Sequence, residues 1–158
     1  MQENLLRAMR ARRPSIRERW VDLLHAERVT TPLANPKVLE HLINETLDEV
    51  FAALGGSHEG HPIAATPAIA AARAHCACGR NPLLAYFLAG EQALLEALVH
   101  AQVETPELSP GDRSMAVTGL YVIVRSIARG EIESFCALCQ HRPGHPAGPA
   151  DPPAAPAP

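Results

Sequence analysis

One device recurs along the chain and constrains its fold more than any other feature. A capping residue is followed directly by proline and then by a periodic apolar run. It occurs at Asn35-Pro36, Thr66-Pro67, Asn81-Pro82 and Ser109-Pro110. Asn, Ser or Thr at an N-cap accepts a hydrogen bond from an orphan backbone N–H. Proline at the first helical position loses no hydrogen bond, and its φ is preset for the helix. Four such starts in 158 residues predict an all-α protein.

Composition agrees. Apolar residues make up 47% of the chain and aromatics only 4%. Alanine and leucine dominate, and they favour helix over strand. The periodicity predicts an up-and-down bundle of four to five helices over residues 1–141. The first helical region covers residues 3–28, divided at Pro14, with Ser15 and Glu18 at capping-box spacing. Ile16, Trp20, Leu23 and Leu24 share its apolar face. The next helix runs from Pro36 to Leu54 on a stripe of Val38, Leu39, Leu42, Ile43, Leu47, Val50, Phe51 and Leu54. Gly55-Gly56 ends it.

A loop from Gly55 to Thr66 and a short alanine-rich helix at 67–75 follow. A fourth helix is expected from Pro82 to about Ala101, burying Leu84, Phe87, Leu88, Leu94, Leu95 and Leu98. A fifth runs from Pro110 towards Gln140. Its Gly119 and Gly130 are candidates for a close approach or a bend. From Arg142 to Pro158 the chain is rich in proline and reads as a disordered tail with no domain of its own.

Chemistry concentrates in the four cysteines, which form two tight pairs. Cys76 and Cys78 stand in "HCACG", and Cys136 and Cys139 stand in "FCALCQH". A short connection between helices four and five predicts antiparallel neighbours. The end of helix five then returns to the beginning of helix four, where the first pair lies. Cys136 and Cys139, three residues apart, share one side of their helix.

Four thiolates suit a tetrahedral zinc ion or an iron–sulfur cluster, with His75 and His141 as alternative ligands. Two rival readings stand beside the metal centre. One is a thiol redox switch through the CxxC pair, and the other is inert burial of the cysteines. A helix C-terminus disfavours thiolate, which argues against a free nucleophile there, whereas a bound cation reverses that penalty. "CALCQH" lacks the histidine directly after the second cysteine that c-type haem attachment requires.

Other features carry less. Six arginines between Arg7 and Arg19 read as a solvated basic face rather than a nucleic-acid surface, and the net charge of -3 implies no polyanion partner. Glu96 and His100 are spaced i, i+4, unlike the Glu-x-x-His of di-iron bundles, and read as a hydrogen-bonded pair. His58 and His61 read as loop residues, and His25 and His41 as locally satisfied. Glu131 and Glu133 are solvated or back up a ligand. Tyr86 and Tyr121 are core. No run of about 18 uninterrupted apolar residues predicts a transmembrane helix, and no secretory leader is read, so the expected location is the cytoplasm. There, paired cysteines favour metal or redox chemistry over structural disulfides.

"IRERWVDLL" at Ile16–Leu24 and "NPLLAYFLAGEQALLEALV" at Asn81–Val99 resemble the helical N-terminal sensor regions of RsbR-type (RsbRD) stressosome proteins. The resemblance implies an all-α, globin-like regulatory module that biases a signalling domain. No such domain follows the helical region in these residues, and the four cysteines lie outside the family's pattern. The expected function is a metal-binding helical sensor or regulator and not an enzyme. The alternative is a metal-free protein–protein interaction module, with a protein partner or a homodimer.

Overall fold

A computed structural model describes residues 1–26, 36–56 and 82–138. Five helices account for nearly all of them: α1 (Glu3–Ala11), α2 (Arg13–Ala26), α3 (Pro36–Gly55), α4 (Pro82–Val103) and α5 (Pro110–Leu138). No strand occurs among the described residues. The protein is an all-α helical bundle, as expected. The 57–66 loop, the 67–75 helix and the 142–158 tail lie outside the described residues.

Three of the four proline-marked starts fall within them, and Pro36, Pro82 and Pro110 each open a helix. At Ser109 the cap is complete. Its Oγ accepts from the Asp112 N–H at 3.1 Å, and its own N–H donates back to the Asp112 carboxylate at 3.3 Å. Two orphan donors are thereby satisfied. The break between α1 and α2 comes at Arg12, two residues ahead of Pro14, because proline has no N–H to continue the ladder. Ser15 does not cap α2. Its hydroxyl donates to the Arg12 carbonyl at 2.9 Å, so the expected capping box does not form.

α4 packs against α1, α2 and α5, and α3 packs against α1, α2 and α5. Ion pairs set the directions. Arg13 pairs with Asp48 and Arg17 with Glu40, so α2 and α3 run in opposite senses. Arg12 pairs with Glu104 and Arg19 with Glu96, so α2 opposes α4 as well. Arg12, Arg13, Arg17 and Arg19 are therefore clamps between helices rather than a free basic face. Arg10 adds a hydrogen bond to the Phe51 carbonyl.

The core is centred on Trp20, which is fully buried. Its indole N–H donates to the Tyr86 carbonyl at 2.9 Å, and the two rings lie 4.8 Å apart between centroids, tilted by 37°. Gly90 lies directly beneath the indole, where any Cβ would overlap the ring. Tyr86 reaches across to Thr46 of α3 at 2.9 Å. Thr46 already donates to the Leu42 carbonyl, so the tyrosine is the donor in that bond. Burial pushes the Tyr86 phenol upward, and it keeps its proton.

Most of the expected core is in place: Ile16, Leu24, Leu39, Ile43, Leu47, Val50, Phe51, Leu54, Phe87, Leu94 and Leu98 are buried. Val38 and Leu88 face outward instead, at 49% and 56% exposure. Gly119 and Gly130 accommodate no neighbour, since a Cβ at either would meet nothing within 4 Å, and α5 runs through both. Among the described residues α4 is the one helix long and apolar enough to cross a membrane by length and composition. In the bundle one side of it forms the core against Trp20, and its Glu91 and Glu96 are both paired with arginines.

Candidate metal centre

The geometry that bears on the cysteines is the α4–α5 hairpin. Its connection is tied down at several points. Thr105 Oγ1 donates to the Ala101 carbonyl at 2.8 Å, and Gln102 Nε2 donates to the Arg113 carbonyl at 3.0 Å. Arg113 returns Nε to the Leu108 carbonyl at 3.3 Å. Further along, Arg125 grips Glu91 with two hydrogen bonds, at 2.8 and 3.0 Å, and lies 4.6 Å over the Tyr121 ring. The two cross-links, 102 with 113 and 91 with 125, define an antiparallel pair in steady register.

Carried nine residues further along each helix, the Glu91–Arg125 register brings Pro82 about level with Ser134. Cys136 follows two residues later, about 3 Å along the axis, in the last turn of α5. The expected return of helix five to the beginning of helix four is thus present in the backbone. Cys76, Cys78, Cys139, His75 and His141 lie outside the described residues. Among the described residues no three His, Cys, Asp or Glu side chains converge as a metal site.

The far part of α5, through Phe135, has little packing of its own. Its last buried apolar residue is Ala128, and Ile132 is half-buried. Glu131, Glu133, Ser134 and Phe135 are all exposed. Glu133 pairs with Arg129 at 2.7 Å, and Ser134 Oγ donates to the Gly130 carbonyl.

The remaining sequence candidates resolve into structural roles. Glu96 is taken by Arg19, through bonds of 2.7 and 3.0 Å, and by Gln92 at 2.9 Å. The Arg19 hydrogen bond, then that of Gln92, holds its carboxyl below the usual range. His100 stays exposed beside it. His41 sits 3.1 Å from Glu45 one turn away. Tyr86 is core, as expected, and Tyr121 is half-buried under Arg125. His58 and His61 lie outside the described residues. The arginine clamps and the Trp20–Gly90 contact were not read from the sequence. The clamps had a faint signal, because the acidic partners Glu40, Asp48 and Glu96 lie on helices predicted to pack nearby, and Glu104 follows the last of them.

No known protein family matches the chain, and neither a curated protein nor a solved structure shows significant similarity to it.

Proposed function

We propose that this chain is a helical sensor or regulatory protein of the cytoplasm that holds one metal centre between its two cysteine pairs. Cys76, Cys78, Cys136 and Cys139 would be the ligands, with His75 or His141 able to replace a cysteine. Zinc is the first choice and an iron–sulfur cluster the second. The observation that carries the reading is the α4–α5 register, which puts the Cys136 turn about level with the start of α4. Cys78 precedes Pro82 by four residues, so covalent reach alone keeps its Cα within about 14 Å of that start. Cys139 follows Cys136 by three residues and is bounded to about 11 Å in the same way.

A regulatory role follows from where the centre would act. It would pin the end of α5, the stretch of that helix with least packing, to the segment entering α4. Metal occupancy would then be coupled to the order of the last turns. The resemblance to stressosome sensor regions points the same way.

Elemental analysis and a visible spectrum of freshly purified protein test the proposal. One zinc per chain and no colour is the expected result, and brown protein indicates a cluster at the same ligands. A chain free of metal with four titratable thiols refutes it. The reading as a metal-free interaction module then takes its place, favoured by the exposed apolar face of α4.

A further inference from the structure

The outward face of α4 repeats a pattern that reads the same in both directions. Leu84, Leu88, Gln92, Leu95, Val99 and Val103 follow one another at spacings of four, four, three, four and four residues. At 3.6 residues per turn they fall within about 100° of arc. Leu88, Val99 and Val103 are 56%, 54% and 71% exposed, and Leu84 and Leu95 are half-buried. Both borders of the stripe are closed by neutralised charge. Glu91 is paired with Arg125 of α5 on one side, and Glu96 with Arg19 of α2 on the other.

We propose that this stripe is a twofold dimerisation surface whose occupant is α4 of a second copy, packed antiparallel. A symmetric interface must be complementary to itself. The palindromic spacing satisfies that condition: a twofold axis midway between Ala93 and Leu94 sets Leu88 against Val99 of the second copy. The same axis sets Leu84 against Val103 and Gln92 against Leu95. Each border carries both signs of charge, so the twofold brings no unpaired like charge together. The stripe is about 28 Å long and one helix wide, which puts the interface at the small end of stable contacts and predicts a weak, reversible dimer. The proposal is independent of the metal centre.

Sedimentation velocity of the full chain across the micromolar range, with reductant and chelator present, provides the test. The wild type is expected to pass from monomer to dimer. Leu88→Glu and Val99→Lys are each expected to weaken association at least about tenfold. The double variant is expected to lose less than the two single changes summed, because the introduced carboxylate then faces the introduced ammonium of the second copy at both symmetric positions. Positions 88 and 99 are about 16 Å apart on one helix, so the recovery does not arise within a single chain. Far-UV circular dichroism checks that helicity is retained, and the more exposed Val103→Lys provides a second disrupting change. A wild type that stays monomeric overturns the proposal, whether residues 57–81 cover the stripe or lipid vesicles capture it. A dimer indifferent to both single changes, or a double variant whose loss is the full sum of the two single losses, overturns it equally.

Discussion

At the scale of single residues, the most demanding contact is Trp20 on Gly90. A helical carbonyl is normally screened by side chains around it. With no Cβ on Gly90, the indole comes close enough to donate to the Tyr86 carbonyl while its ring fills the space above the helix. Gly90→Ala is therefore expected to destabilise by about 1–3 kcal/mol or more, the usual cost of overpacking a tight core. A urea titration followed by the emission of this single tryptophan measures it, and the folded-state emission should also shift to the red. Ser109 offers a milder case. Ser109→Ala removes the α5 cap and should cost about 1 kcal/mol. The Ser109 hydroxyl is also the main reason the Asp112 carboxyl lies below its ordinary value of 3.8. A carboxyl depressed in the folded state stabilises above its unfolded pKa and loses that stabilisation as pH falls through the folded value. The difference between wild type and Ser109→Ala should therefore shrink in acid, below about pH 4.

Helices are joined here by charge as well as by apolar packing. Hydrogen bonds from Arg13 and Arg19 depress Asp48 and Glu96 below their ordinary 3.8 and 4.5. The melting temperature should accordingly be flat above about pH 5 and fall below it as both carboxyls take up protons. Arg19 and Glu96 are both close to half exposed, so a double-mutant cycle to alanine should give a small coupling that weakens with salt. The elements themselves were legible because their signals are local. Pro36, Pro82 and Pro110 open helices for reasons confined to one turn. Burial was less legible. Val38 and Leu88 fit an apolar stripe by spacing, yet spacing does not say how wide an arc the neighbours cover. Gly119 and Gly130 looked like approach points, while the true one, Gly90, depends on an indole arriving from 70 residues away in sequence. The arginines read as a solvated face for the same reason: their partners belong to other helices. Of the candidate site, the return of α5 alongside α4 was readable from helix lengths and a short connection, whereas ligation depends on side-chain geometry that spacing does not encode.

For the molecule as a whole, the decisive question is what holds the far end of α5. From Arg129 to Phe135 only Ile132 packs against the core, and it is half-buried, yet the helix continues to Leu138. These turns propagate from the packed part of α5 without a new nucleus, but with so little burial they should fray readily. A metal tether at Cys136 would add support. It would do so locally, because the Trp20 core is built from α2, α3 and α4. Chelation is therefore expected to raise amide exchange over residues 129–138 at least about tenfold, while the Trp20 emission stays at its folded position. Cys136→Ser should reproduce that pattern without chelator and lower the metal content below one per chain. Acid should act in the same direction. Thiolate ligands must lose protons to bind, and the negative end of the α5 dipole makes that harder, so metal should leave as the pH falls. Exchange over 129–138 that is equally fast with and without chelator would show that the end of α5 is held by nothing the cysteines contribute, and the sensor reading would fall with it.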